Sequence, residues 1–329
     1  MARANASADQ SVVGIDLGGT NMMIGIVDPS GQVVARKKVD TDATKGADDV
    51  IQRMAMAVSA VISDAGLGKS DIAGIGLGAP GVVNVKQGKV VKAVNLCWND
   101  LPVATQLAEA IGIPVTLDND VNVGTWGEYR AGAAQDADDA LGIFVGTGIG
   151  GGLVINGKLY HGHFMSAGEI GHTVVNRSAG FGNRTLEQLT SRGSVVAVIE
   201  KLIASNHSTM ISEISKGKRI RSKVIGKAMR ANDELTLRVL KEAAETLGVA
   251  IANVVTLLSL DCVVVGGGLT EAADERWLEW IRTSFHDAVF PEICRDCRIV
   301  ESTLGDDAGL LGAALLIRDR LTTGECVFG

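Results

Sequence analysis

The sequence predicts an α/β protein made of two related lobes with a ligand cleft between them. Three observations carry this expectation. The chain has 329 residues, too long for one small core and suited to two at roughly 150 residues per domain. Hydrophobic residues make up 46% and charged residues 21%, enough apolar side chain to bury real cores. One order of elements, hairpin strands, a glycine-rich turn, a helix and parallel-type strands, occurs near residue 16 and again near residue 146. Ligands in open α/β sheets bind at the carboxyl ends of strands, which such a duplication brings face to face.

In the first lobe, three short strand-like runs open the chain: Ser11–Ile15, Met22–Val27 and Gln32–Val39. Turn residues separate them, Gly18-Gly19 and then Asp28-Pro29-Ser30-Gly31. Val50, Met54, Val58 and Val61 share one helical face. Ile72–Leu77 and Pro114–Leu117 read as buried strands, with a helix over Ala104–Ile111 between them. The second lobe repeats the theme, with strands at Leu141–Val145, Gly152–Ile155 and Lys158–Tyr160. Long helical stretches follow at Leu186–Ser205 and Asp233–Leu258, then strands at Asp261–Val265 and Arg298–Glu301. A final helix, Ala308–Ile317, has Asp306 or Asp307 as its N-cap. The segment Leu321–Gly329, which carries Cys326, matches no pattern.

Composition excludes several classes. Net charge is -7, and the most basic stretch, Lys216–Lys223, reads as a solvated helix end or loop, so no nucleic-acid partner is expected. No apolar run reaches membrane-spanning length and MARANASADQ holds no leader-type apolar region, so no membrane partner is expected. Five cysteines form no even framework, which suits a reducing, cytoplasmic setting. Cys294 and Cys297 have metal or redox spacing, but no second such pair exists and they lead into a strand. The 41 glycines, well above the average of roughly 7%, mark places where backbone turns sharply or comes close to something.

Four motifs carry chemistry. Gly14-Ile-Asp16-Leu-Gly18-Gly19-Thr20-Asn21 ends a strand in an acid, two glycines and a hydroxyl. Glycines let backbone N–H groups reach phosphate oxygens, and Asp16 is placed to hold Mg²⁺ directly or through water. A plain type I′ hairpin turn is the structural alternative. Gly146-Thr147-Gly148-Ile149-Gly150-Gly151-Gly152 follows another strand. It lacks the GK[ST] of a Walker A loop, and a strand follows where a dinucleotide fingerprint needs a helix; a hairpin folding over phosphates, with Thr147 donating, fits better. Asp118-Asn119-Asp120 lies where a strand ends and a helix starts. One of the three is expected to cap that helix, and a carboxylate there can take the proton of an attacking hydroxyl. Glu169 and His172, three apart in Gly-Glu-Ile-Gly-His, share a face if helical.

Together with Gly78-Ala-Pro-Gly81, Asn95-Leu-Cys-Trp98 and Leu304–Ala314, these motifs resemble the ROK family (repressors, open reading frames, kinases), in family order from about residue 11 to 318. The resemblance implies an actin/hexokinase-type fold of two ribonuclease-H-like α/β lobes with an interlobe cleft. The small lobe would be 1–119, completed by 306–329, and the large lobe 120–305. It implies Asp120 as catalytic base, and Gly81, Asn95, Asn119, Glu169, His172 and Glu187 at the sugar. Asp16, Gly18, Gly19, Thr20, Asn21, Thr147, Gly148, Gly267 and Gly268 would meet ATP and Mg²⁺. The implied activity is ATP-dependent hexose phosphorylation, with glucose as first choice and an N-acylhexosamine, fructose or mannose as alternatives. A non-catalytic sugar-binding protein and an actin-type ATPase are the readings outside that class. A polyphosphate donor ranks low, because no Lys/Arg run suits a long polyanion. Family kinases are often homodimers.

Two departures qualify the resemblance. Where family kinases carry a cysteine-rich zinc loop, this chain has Ser178, Gly180 and Thr185 in a shorter 176–187 loop. No zinc is therefore expected, and hydrogen bonds from Arg177, Asn183 and Arg184 are the expected substitute. The first strand begins at about residue 11, so the repressors' winged helix is not expected and the form resembles the family's kinases.

Overall fold

The computed structural model describes residues 10–180 and 182–329. MARANASADQ up to residue 9, and Phe181 of the 176–187 loop, lie outside them. The strands are β1 (Ser11–Leu17), β2 (Asn21–Val27), β3 (Val33–Asp40), β4 (Ile72–Ala79), β5 (Val82–Asn84), β6 (Lys89–Ala93), β7 (Trp98–Leu101), β8 (Val115–Asn119), β9 (Ala140–Val145), β10 (Ile149–Ile155), β11 (Lys158–Leu159), β12 (Cys262–Gly266) and β13 (Arg298–Glu301). The helices are α1 (Ala47–Asp64), α2 (Val103–Ile111), α3 (Asp120–Ala131), α4 (Leu186–Thr190), α5 (Arg192–Ala204), α6 (Met210–Ser215), α7 (Ser222–Arg230), α8 (Glu234–Leu258), α9 (Arg276–Ala288) and α10 (Ala308–Thr323).

The described chain divides into two compact units. Among the described residues, unit 1 comprises 10–135, Leu159–Ala167 and Asp306–Gly329; unit 2 comprises Asp136–Lys158 and the described part of 168–305. The division expected at 119/120 therefore shifts. Helix α3 packs on α10 within unit 1, because a Cβ on Gly312 would fall 1.7 Å from the Val123 carbonyl oxygen. The segment 159–167 joins unit 1 through His161, described below.

Each unit holds a five-stranded sheet of the same design: β3-β2-β1-β4-β8 in unit 1 and β11-β10-β9-β12-β13 around unit 2. In the first, β2 runs antiparallel to β1 and β3, while β1, β4 and β8 are parallel. In the second, β10 is antiparallel to β9, while β9, β12 and β13 are parallel. The repeat expected from the sequence is present strand for strand. A smaller antiparallel sheet, β5-β6-β7, was not expected. Its strands are three to five residues long, below the length at which period-two patterning can be told from noise.

Part of the glycine excess has a packing cause. Gly25, Gly14 and Gly76 stand side by side across β2, β1 and β4. Cβ atoms on Gly14 and Gly76 would fall 2.0 Å and 1.8 Å from the carbonyl oxygens of Leu310 and Ala313. The glycine row lets α10 lie directly on the sheet, which brings the N-terminus of α10 to the end of β1.

Other expectations need correction. The single helix read over Leu186–Ser205 is two, because Ser191 leaves α4 and caps α5, its Oγ accepting from Ser194 N at 3.2 Å. Asp307 stands at the N-cap position of α10 without a side-chain cap bond and pairs instead with Arg36 at 3.1 Å. The tail also has a place: Val115 and Phe328 exchange backbone hydrogen bonds of 2.8 Å, and Thr116 Oγ1 donates to Cys326 O at 2.8 Å. It thus flanks β8, the strand that ends at Asn119. Cys294 and Cys297 are buried, and burial, then neighbouring Cys262, pushes the Cys297 thiol up to about 12. Such a thiol stays protonated, which favours packing over redox chemistry.

Candidate active site

In unit 1 the site is built at the end of β8, where three adjacent polar residues do three jobs. Asp118 is fully buried. It accepts from Arg320 Nη2 at 2.7 Å, from Asn119 N and Asn122 Nδ2 at 2.9 Å, and pairs with His161 Nε2 at 2.8 Å. Burial alone would raise its pKa; the His161 hydrogen bond, the Arg320 charge and the Asn122 amide outweigh it and hold the carboxyl at about 2. Asn119 is the helix cap, its Oδ1 accepting from Val121 N at 2.9 Å and Asn122 N at 3.2 Å. Its Nδ2 donates to Gly81 O at 3.0 Å, which leaves one amide hydrogen for a ligand. Asp120, the first residue of α3, is half-buried, with Oδ1 accepting from Val121 N at 2.9 Å. The backbone of the candidate base is thus fixed by a capped helix on one side and a buried ion pair on the other.

The glycine turn after β1 lies in the same unit. Gly18 N donates to Asn21 O at 3.0 Å, and Thr41 Oγ1 donates to Gly18 O at 2.7 Å. Neither Gly18 nor Gly19 has positive φ, so the type I′ turn is excluded. These glycines serve close approach: a Cβ on Gly18 would fall 2.8 Å from Asn21 O, and one on Gly19 would fall 3.2 Å from Asn95 Nδ2. The candidate phosphate turn and the candidate sugar-facing Asn95 therefore touch. Gly81, at φ +92, would put a Cβ 2.2 Å from Lys92 O, so only glycine fits there. Thr20 is exposed beside the turn.

Asp16 stands against the N-terminus of α10, where a Cβ on Gly309 would come 2.7 Å from its carboxyl carbon. Burial, then the charges of Asp120 and Asp306, push the Asp16 carboxyl up to about 6. Mg²⁺ is usually held by one or two carboxylates together with substrate phosphates, and a crowded carboxylate relieved by a cation suits that role. The shift also has a stability consequence. Between pH 3.8 and about 6 the folded state holds a proton that the unfolded chain has lost, so stability falls as pH rises through that window. We expect Asp16→Asn to abolish that fall, worth about 2 kcal/mol between pH 4.5 and 7, in urea titrations at those two pH values. An unchanged pH slope in the variant would remove the assignment.

In unit 2 the glycine hairpin joins β9 to β10, with Thr147 exposed at its tip and Gly146 N donating to Gly148 O at 2.9 Å. Glu187, expected at the sugar, accepts from Ile149 N through Oε2 at 2.8 Å, and a Cβ on Gly148 would fall 2.3 Å from that oxygen. Glu187 therefore grips the glycine hairpin, the candidate phosphate loop. On the other side Arg192 N donates to Gly146 O at 3.0 Å, and its guanidinium hydrogen-bonds Thr147 Oγ1. Gly267, at φ +88, would set a Cβ 2.6 Å from Val145 N, which places the β12 end beside the hairpin's base, with Gly268 next to it and exposed. Glu169 and His172 flank a short 3-10 turn, 3.9 Å apart and both exposed. That turn rests on β10, since Cβ atoms on Gly168 and Gly171 would meet Gly151 O and Ile149 O at 2.5 Å and 2.2 Å.

Residues 12–320 match the ROK family. The chain belongs to the ROK family. A glucokinase of Halalkalibacterium halodurans is 32% identical over 324 residues, covering 97% of this chain and 98% of that protein. A xylose repressor of Caldicellulosiruptor bescii is 28% identical over 320 residues, covering 96% and 80%. Among solved structures, a ROK family glucokinase from Streptomyces griseus in complex with glucose and AMPPNP is 31% identical, with a TM-score of 0.79 and coverage of 93% and 98%. The α/β, two-lobed actin/hexokinase fold class predicted above is that of the ROK kinases.

Where the resemblance places a zinc loop, residues 173–180 and 182–186 are held without thiolates. Val174 and Thr185 form a β-bridge, and Arg184 O accepts from Val175 N and Asn176 N at 2.9 and 3.1 Å. Arg184 Nε donates to Ala179 O at 2.9 Å, as expected for that residue, while Asn183 contributes its backbone N–H, to Gly180 O at 3.3 Å. Thr185 and Gln188 complete a capping box. Ser178, Gly180 and Thr185 do not fit zinc, and among the described residues no group of three His, Cys, Asp or Glu could hold a metal. Sequence reasoning missed Arg192, His161 and Arg320, each a single polar residue with no local pattern, whose part only the tertiary partner reveals; Asp306 was read as a candidate N-cap, and its charge bears on Asp16 instead.

Proposed function

We propose that this ROK protein is an ATP-dependent sugar kinase acting on a hexose, with glucose to glucose 6-phosphate as its principal reaction. Asp120 takes the proton of the sugar hydroxyl while that oxygen bonds to the γ-phosphorus and ADP leaves. Asn119 orients the sugar with its remaining amide hydrogen, and Gly81 and Asn95 line the same segment. Glu169 and His172 serve vicinal sugar hydroxyls. The 18–21 turn and the 146–148 hairpin offer backbone N–H groups and hydroxyls to the phosphates, and Gly267 and Gly268 take the nucleotide side. Mg²⁺ bound with ATP supplies charge neutralisation, and Asp16 would hold it. The same proposal includes assembly as a homodimer, read by sedimentation.

One observation carries the reading. A Cβ on Gly78 would lie 3.5 Å from Asp120 Cα and 3.6 Å from the carbonyl oxygen of Ile15, next to Asp16, and the Asp120 charge helps push the Asp16 carboxyl up, so the candidate base and the candidate phosphate and metal site lie side by side within one unit. The similarity to glucokinases supports the choice of sugar; the similarity to a xylose repressor favours sugar binding without transfer as the second reading. A panel of sugars with ATP and Mg²⁺, read by ADP release, decides. We expect glucose to give the highest kcat/KM. A preference for N-acetylmannosamine, fructose or mannose would overturn the substrate, and tight sugar binding without ADP release would favour the second reading.

A further inference from the structure

We infer that Arg192 is a positioning residue of the phosphate hairpin, acting through Thr147, and so tunes affinity for the phosphate donor. The inference rests on the proposed role of that hairpin. Arg192 is the first residue of the 13-residue helix α5. A cation there opposes the helix dipole, and no acidic residue in the first turn offsets it. Helix stability therefore does not account for an arginine at this place.

Its contacts do. The backbone N–H of Arg192 donates to Gly146 O at 3.0 Å, and its guanidinium donates to Thr147 Oγ1. A Cβ on the next residue, Gly193, would fall 2.8 Å from Thr147 O, so the first turn of α5 lies flush on the hairpin tip. Glu187 holds Ile149 N from the other end at 2.8 Å. The tip is gripped on both flanks while Thr147 itself stays exposed.

The chemistry follows from donor and acceptor counts. A guanidinium has only N–H donors, and a hydroxyl has one proton and two lone pairs. Arg192 can only donate and so occupies one lone pair, which leaves the Thr147 proton unspent and available to an acceptor that meets the tip. A phosphate oxygen is such an acceptor, and the adjacent positive charge strengthens that hydrogen bond. The ligand class is a nucleoside triphosphate or another polyphosphate donor.

A double-mutant cycle tests this on the full chain: wild type, Arg192→Ala, Thr147→Val and the double variant, with Arg192→Lys as the conservative control. Two readouts run in parallel, the KM values for ATP and sugar and calorimetric binding of AMPPNP. We expect Arg192→Ala to raise KM for ATP and Kd for AMPPNP about tenfold, with sugar KM unchanged and Arg192→Lys partly rescued. The double variant should be no worse than Thr147→Val alone. Unchanged nucleotide affinity in Arg192→Ala, or effects that simply add, would overturn the inference while leaving the kinase reading intact. Wild type that binds AMPPNP without phosphorylating any sugar would overturn the kinase reading, and the cycle would still be read from binding. Wild type that binds no nucleotide would overturn both.

Discussion

Asp120→Asn is expected to lower kcat by about 10²–10⁴-fold, the range contributed by a positioned general base, with sugar affinity changed little. Asparagine keeps the size and accepts the Val121 N–H that Asp120 Oδ1 accepts at 2.9 Å, so the start of α3 should hold. What it loses is the ability to take a proton. Removing this carboxylate should also relieve Asp16, whose carboxyl is pushed up partly by the Asp120 charge, so its pKa should fall in the variant. Sugar affinity by calorimetry and turnover by ADP release check the first claim together. A variant that turns over at near wild-type rate would show that the proton goes elsewhere.

The largest stability effect is expected at Arg320→Leu. Asp118 has no exposed surface and Arg320 only 12% of its side chain exposed. The guanidinium also donates to Thr116 Oγ1 at 2.6 Å and to Leu117 O at 3.1 Å. Cutting one partner of a buried pair leaves a desolvated charge and costs about 3–5 kcal/mol. We expect that loss in urea unfolding, and partial recovery when Asp118→Asn is added, because asparagine still accepts from Asn119 N and Asn122 Nδ2 but carries no charge. The sign with pH is fixed as well. The Asp118 carboxyl is held at about 2 against 3.8 in the unfolded chain, so the pair's contribution is present above 3.8 and is lost as pH falls through about 2. A single-variant effect below about 1 kcal/mol, the size of an exposed pair, would contradict the picture of a buried anchor beneath the candidate base.

These two residues show what local sequence can and cannot reveal. The two lobes were legible because hairpins, glycine turns and buried strands are written in consecutive residues, and β13 was read to the residue, Arg298–Glu301. Asp118-Asn119-Asp120 was legible as a group of three with one cap among them. Which one caps, and that Asp118 is an anchor, depends on Arg320 and His161, 202 and 43 positions away. Glu187 was assigned to the sugar through the resemblance, but its carboxylate holds Ile149 N, a contact set by how α4 packs on β10. Ser191 breaks an otherwise helical run because a serine can serve as interior residue or cap, and only the packing of α5 on the hairpin decides.

The central claim is that Asp120 directs the γ-phosphate of ATP to a sugar hydroxyl. It is tested most directly by following ADP and sugar phosphate together, with glucose, ATP and Mg²⁺, for wild type and Asp120→Asn. The account predicts one sugar 6-phosphate per ADP in wild type and almost none of either in the variant. ADP formed without sugar phosphate, or equal product from both proteins, would contradict it.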